Sequence, residues 1–311
     1  MTKPANGNET AAVLTLGPVL FNWTPEAWRD FYFRIADEAP VQVVFVGEIV
    51  CSKRAPFFAE HLPTVIERLT AAGKEVLLSS PILATTERER KAVAELVAAE
   101  DFRIEANDIG CLALVEGRNH AIGPYVNVYN EATLAWVARR GATSVCLPGE
   151  LPGTAMAALA AEARRHGVAS EAQVFGRLPL AISARCYHAR AHGLHKDGCQ
   201  YVCGQDDDGL LVSTIDNSPF LAINGTQTLS HAFIVLAEEL PALRAMGVTR
   251  FRLSPHALDM VAIATAYRET LDGKRDPAQL VHDLAALIAP FEPCNGYFHD
   301  QPGVARPAAL D

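Results

Sequence analysis

The stretch Val41-Gln42-Val43-Val44-Phe45-Val46-Gly47-Glu48-Ile49-Val50-Cys51-Ser52-Lys53-Arg54 decides how the rest of the chain is read. Residues 41–46 are a valine-rich apolar run of the kind a buried parallel strand shows. A glycine and a polar segment follow, so the run ends in a loop that carries a cysteine and two cations. In α/β barrels the loop after a strand is where binding and catalytic groups collect.

The same alternation extends in both directions. Upstream, residues 13–16 form a first strand candidate, and Thr24 before Pro25 is a helix start, an N-cap followed by proline at the first helical position. Trp28, Phe31, Tyr32 and Ile35 then fall on one apolar face. Downstream, helices are expected at 62–72, 86–99, 131–140 and 153–166, the first stopped by Gly73. Strands are expected at 75–79, 102–105, 126–129, 144–147 and 172–177. After residue 186 the rhythm breaks for about sixty residues. It resumes with a helix at 228–246, a strand at 250–253 and a helix at 257–271. Eight strand candidates in a repeated βα unit imply an α/β fold, a (β/α)8 barrel of the TIM type, regular or irregular, with a cysteine-containing insertion at 186–226 after the seventh strand. The alternative, an open doubly wound sheet, lacks a glycine-rich dinucleotide loop after its first strand.

Composition agrees. The 311 residues are read as one domain, half of them hydrophobic, with few aromatics and much alanine, which favours helix-rich α/β architecture over an all-β sandwich. A formal charge of −9 argues against general nucleic-acid binding and against an anionic membrane surface. No apolar run is long enough to span a bilayer. Residues 1–11 read as a flexible polar N-terminus without a secretory signal, so the expected location is the cytoplasm, where thiols stay reduced.

The seven cysteines are therefore core residues or metal ligands. Cys51 follows the second strand and Cys186 the seventh, while Cys199 and Cys203 lie in the insertion. The spacings are 186 − 51 = 135, 199 − 186 = 13 and 203 − 199 = 4. Cys199 and Cys203 sit among Lys196, Asp197, Gly198, Gln200 and Gly204, with little apolar context to bury them. Cys111 and Cys146 lie in apolar stretches and read as core; Cys294 stays open. Four thiolates suit a structural zinc ion or an iron–sulfur cluster, and a Cys-x3-Cys pair fits both. The radical-SAM arrangement needs a third cysteine soon after Cys203, and none is present.

Several segments carry a family resemblance: Leu16-Gly17-Pro18-Val19-Leu20, Gly47-Glu48, Val50-Cys51-Ser52-Lys53-Arg54, Ile104-Glu105-Ala106-Asn107-Asp108, Leu178-Pro179-Leu180-Ala181, Ser183-Ala184-Arg185-Cys186, Asn224-Gly225, Gln227-Thr228, Arg252-Leu253-Ser254-Pro255 and Cys294-Asn295-Gly296-Tyr297. Over nearly its whole length the chain resembles the U32 peptidase-like family, in its branch that serves oxygen-independent ubiquinone biosynthesis. The resemblance implies a [4Fe–4S] cluster on Cys51, Cys186, Cys199 and Cys203. It implies a heterodimer with a homologous UbiU-like subunit, a UbiT-like lipid-binding accessory protein, a ubiquinone precursor as substrate and prephenate as oxygen donor. Two regions depart from the family pattern: the acidic run after Cys203 and the residues His256-Ala257-Leu258-Asp259. A classical peptidase activity is not expected, because neither His-Glu-x-x-His nor Gly-x-Ser-x-Gly occurs. Two other readings are a non-catalytic scaffold braced by the cluster and an RNA-hydroxylating relative, the latter disfavoured by the acidic charge.

Other residues are candidates for supporting roles. His188, His192 and His195 share a face if helical and could bind metal, although Gly193 interrupts them and a solvated loop is the ordinary alternative. Glu48, Asp108, Asn130 and Glu150 follow strands and could serve in acid–base chemistry or as helix caps. Lys53, Arg54 and Arg185 could balance a thiolate-ligated cluster or be surface charges. Phe21, Trp23, Phe57 and Phe58 could line an apolar surface or lie in the core.

Overall fold

In the computed structural model, which describes residues 11–307, the βα rhythm closes into a ring. Seven parallel strands follow in order: β1 (Val13–Leu16), β2 (Val43–Val46), β3 (Glu75–Ser79), β4 (Arg103–Ala106), β5 (His120–Ile122), β6 (Ala142–Leu147) and β7 (Ala169–Ile182). Outside the ring lie β8 (Leu210–Ser213), β9 (Pro219–Asn224) and β10 (Gln227–Val235). The eighth ring strand, β11 (Arg250–Leu253), pairs in parallel with both β7 and β1, placing Arg250 opposite Glu171 and Val13. That double pairing makes the architecture a (β/α)8 barrel. A short β12 (Pro293–Cys294) pairs with β10.

The helices are α1 (Pro25–Glu38), α2 (Ala55–Phe58), α3 (Leu62–Ala71), α4 (Glu87–Ala98), α5 (Ile109–Leu114), α6 (Glu131–Ala138), α7 (Gly153–Arg165), α8 (Tyr187–Ala191), α9 (Leu240–Met246), α10 (Met260–Leu271) and α11 (Pro277–Leu287). Thr24 caps α1 by accepting from the Ala27 N–H, and Thr86 and Glu89 form a capping box that starts α4. The core lies between ring and helices, where Leu14, Val44 and Ile104 pack against residues such as Trp28, Tyr32 and Val65. The alternate strand residues point into the barrel, where buried Thr15, Ser79, Glu105, Glu171 and Arg252 share the interior with Val43, Phe45, Leu77 and Ala121.

Two expectations shift. The fifth strand is His120–Ile122, and residues 124–126 turn as a 3₁₀ helix instead of starting a strand at 126–129. Residues 228–246 are not one helix: β10 occupies the first half and pairs antiparallel with β7, and only α9 is helical. Strand β7 is long because its first half completes the ring and its second half runs past the barrel mouth into β10, β9 and β8. The insertion is therefore a small antiparallel sheet plus a cysteine-bearing loop. The expectation of a flexible segment at 1–11 lies outside the described residues except for Ala11.

Candidate metal centre

Each of the four cysteines is placed by a short local device. Cys51 opens a turn in which the Arg54 N–H donates to its carbonyl at 2.9 Å. Glu48, half-buried, accepts from the Val50 and Cys51 N–H groups at 2.8 Å each. Cys186 caps α8, its Sγ accepting from the Ala189 N–H at 3.4 Å. Cys199 follows a 3₁₀ turn over Lys196–Gly198, and Cys203 lies in a second one over Val202–Gln205. Between them Gln200 and Tyr201 both adopt left-handed backbone, at φ 49° and 54°, which turns the chain back on itself. Lys53 holds this loop against the β2 loop by donating to the Lys196 carbonyl and pairing with Asp197 at 3.3 Å.

The four thiols line one small pocket together with Arg54 and Tyr201. Asn22 donates to Cys203 Sγ at 3.5 Å. Arg54 is 1% exposed, so the surface-charge alternative does not apply to it. Its Nη1 donates to the Leu20 carbonyl at 2.9 Å and its Nη2 to Asn224 Oδ1 at 3.0 Å. Its Nε has no hydrogen-bond partner. Burial pushes the Cys51 thiol above its ordinary pKa while Arg54 pulls it back. Burial likewise raises Cys186, offset by the Ala189 N–H. Cations that bind such thiols displace protons as they do so.

The donor chemistry fits a thiolate-ligated group. Among the described residues, three donor atoms within 4.8 Å of one another occur at His188, His192 and Asp206. One tetrahedral zinc with Zn–S bonds of ~2.3 Å holds its sulfurs roughly 3.8 Å apart. A four-iron cluster, with one thiolate per iron, spreads its sulfurs more widely. Four cysteines suit either group.

The remaining candidates divide. Asp108 and Asn130 are helix caps, accepting from Gly110 and Thr133 N–H groups. Glu150 accepts from the Tyr129 hydroxyl. His188 is buried rather than solvated, whereas His192, His195 and Arg185 are exposed. Phe21 and Phe58 are core, while Phe57 and Tyr201 form an exposed edge-to-face pair at 4.7 Å. Cys111, Cys146 and Cys294 are buried away from the pocket, with burial pushing Cys111 up to about 11 and Cys294 up to about 12.

Other contacts were not legible in the chain. The acidic run after Cys203 closes the insertion on itself and latches it to the barrel: Asp206 meets His188 of α8 at 2.9 Å, while the Asp207 carbonyl accepts from Trp23 Nε1 at 2.8 Å and Asp208 meets His256 Nδ1 at 3.1 Å. His256 Nε2 accepts from the Arg177 N–H at 3.1 Å, so its Nδ1 carries the proton that Asp208 receives. Gly176, at φ +115°, permits this approach, since a Cβ there would stand 2.6 Å from Ser254 Cβ. Inside the barrel Arg252 Nη1 donates to Glu105 at 2.6 Å and to Glu171 at 3.1 Å. A charged residue interrupting an apolar strand was the available signal. Beside the His256 latch, Trp23, Phe31, Ile35, Leu258 and Val261 line an apolar cleft of about 340 Å³ between α1 and α10. No described helix is long and apolar enough to cross a membrane.

The sequence profile of peptidase family U32 matches residues 23–306. Among solved structures, the chitinase-like agglutinin RobpsCRA from Robinia pseudoacacia is 10% identical at a TM-score of 0.34, covering 78% of this chain and 96% of its own. An uncharacterized protein is 9% identical at a TM-score of 0.30, covering 89% of this chain and 72% of its own. Likenesses that loose carry no inference about function. The profile match takes in every ring strand after β1 and the cysteine-bearing insertion, and the chain belongs to peptidase family U32.

Proposed function

We propose that this chain is a UbiV-type subunit that holds a [4Fe–4S] cluster on Cys51, Cys186, Cys199 and Cys203. In this reading it works with a UbiU-like partner in oxygen-independent hydroxylation of a ubiquinone precursor. The observation that carries the reading is the convergence of four thiols, from two barrel loops and two turns of the insertion, on one pocket at the barrel's C-terminal face. A bound cluster supplies one-electron chemistry there. Arg54 contributes a fixed positive charge against the added negative charge of the thiolates. Asn22 and the Ala189 N–H direct hydrogen bonds at two of the sulfurs, a contact type that tunes such centres. The apolar cleft near Trp23 suits the isoprenoid part of a quinone precursor delivered by a UbiT-like carrier, with prephenate the oxygen donor.

Quinone profiling of a strain lacking this chain, grown with and without oxygen, tests the assignment. Ubiquinone lost only in the anaerobic culture supports it, and unchanged anaerobic ubiquinone rejects it.

One observation favours a bracing role for the cluster. No strand pairing holds residues 183–209, the segment that carries three of the four cysteines. A Cys199→Ala complex that assembles but does not hydroxylate supports redox work; one that still hydroxylates supports bracing.

A further inference from the structure

We propose that His188, His192 and Asp206 form a second metal site, separate from the four thiols, for a divalent cation of the zinc class. His188 and His192 lie four apart on the single turn of α8 and its C-cap, their rings nearly parallel at 8° with centroids 5.7 Å apart. Asp206 comes from beyond Cys203, and its Oδ2 lies 2.9 Å from His188 Nε2. The three donor atoms all fall within 4.8 Å of one another.

The hydrogen bonding of His188 is what points to a cation. This ring is fully buried, and its Nδ1 faces the Ile223 carbonyl at 3.2 Å. A carbonyl only accepts, so in the neutral ring the proton belongs on Nδ1 and the lone pair of Nε2 is aimed at a carboxylate oxygen. Two acceptors then face each other across 2.9 Å, and a cation between them satisfies both. A histidine anchored through its other nitrogen to a backbone carbonyl is the arrangement that metal-bound histidines adopt. Two imidazoles and one carboxylate suit zinc and its first-row neighbours, whereas magnesium and calcium prefer all-oxygen sites and copper(I) prefers sulfur. Exposed His192 and half-buried Asp206 leave one side open for entry and for a water ligand.

Such an ion clips together the two ends of the cysteine-bearing loop. His188 is two residues past Cys186, and Asp206 is three past Cys203. The rival arrangement is a protonated His188 paired with Asp206, with His192 uninvolved.

The test is zinc binding by equilibrium dialysis on anaerobically purified full-length protein, with zinc, iron and sulfide counted in each sample. Wild type and a His195→Ala control should each take about one zinc per chain beyond any iron. His192→Ala and Asp206→Asn should bind it roughly tenfold more weakly or worse, with iron and sulfide unchanged. Zinc held equally well by both variants, or no zinc in wild type, overturns the proposal. Zinc that disappears in Cys199→Ala but not in His192→Ala overturns it too, and also counts against the cluster reading. In zinc-soaked crystals the anomalous peak should lie between His188 Nε2 and Asp206.

Discussion

Arg54 reaches across 170 residues of sequence to donate from Nη2 to Asn224 Oδ1 at 3.0 Å, beside the thiol pocket. The Leu20 carbonyl closes the arrangement, accepting from Arg54 Nη1 at 2.9 Å and from Asn224 Nδ2 at 2.7 Å. Gly225 completes it: at φ +60°, a Cβ there would lie 2.7 Å from Nη2. The loop after β2, the loop after β1 and the β9–β10 turn are thereby fixed to one guanidinium.

Arg54→Met keeps the apolar stem and removes the donors, leaving the Asn224 and Leu20 oxygens short of partners. The expected loss is about 1–3 kcal/mol of unfolding free energy in urea. Gly225→Ala should lose stability as well, through strain and the displaced guanidinium. Wild-type midpoints in both variants would remove Arg54 from its organising position.

The barrel interior makes a sharper stability prediction. Arg252 lies between Glu105 and Glu171, with side chains 5%, 1% and 3% exposed, and stacks over the Phe45 ring at 4.3 Å. Arg252→Leu strands two buried carboxylates and should cost about 3–5 kcal/mol. Adding Glu105→Gln and Glu171→Gln should recover much of that loss, because the uncompensated charges go with them. A triple variant no more stable than Arg252→Leu would contradict this, as read from urea midpoints.

Glu89 ties α4 to the cysteine loop and gives a pH signature. Burial alone raises its pKa, but hydrogen bonds from Ser52, from the Thr86 N–H and from the Thr85 N–H and hydroxyl outweigh it and hold the group at about 2. A carboxylate depressed in the folded state adds stability above its unfolded pKa and loses it as pH falls through the folded value. The metal-free protein should therefore lose this contribution between about pH 4.5 and 2. The difference in Tm between wild type and Glu89→Gln should be largest near neutrality and shrink across that window. A difference constant with pH would count against the assignment.

Much of the ring was readable because burial of parallel strands on both faces writes itself as apolar runs, as at Val13–Leu16, Val43–Val46 and Glu75–Ser79. The fifth strand was displaced because the true one has three residues and includes a histidine, while Val126 and Val128 mimic strand alternation nearby. Residues 228–246 misled for another reason. Leu229, Phe233, Leu236, Leu240 and Leu243 are all buried and recur at helical spacing, but the first two pair with β7. That pairing is long-range and leaves no local trace. The same limit governs the site. Cys51 and Cys186 were placeable by counting strands, whereas the burial of Arg54, the Asn22 contact and the partners of Asp206 and Asp208 depend on contacts between distant segments.

The ligand set is separable from the other cysteines. Alanine at Cys51, Cys186, Cys199 or Cys203 should each abolish bound iron, while Cys111→Ala and Cys146→Ala should retain it with modest loss of stability, both side chains being core. Iron analysis of the six purified variants checks this. Iron retained in any of the first four would redraw the site.

The most direct measurement is the iron and acid-labile sulfide content of anaerobically reconstituted full-length protein, read together with its zinc content. The account predicts a brown protein with about four iron and four sulfide per chain. A colourless protein that takes about one cysteine-dependent zinc and no iron or sulfide would contradict it.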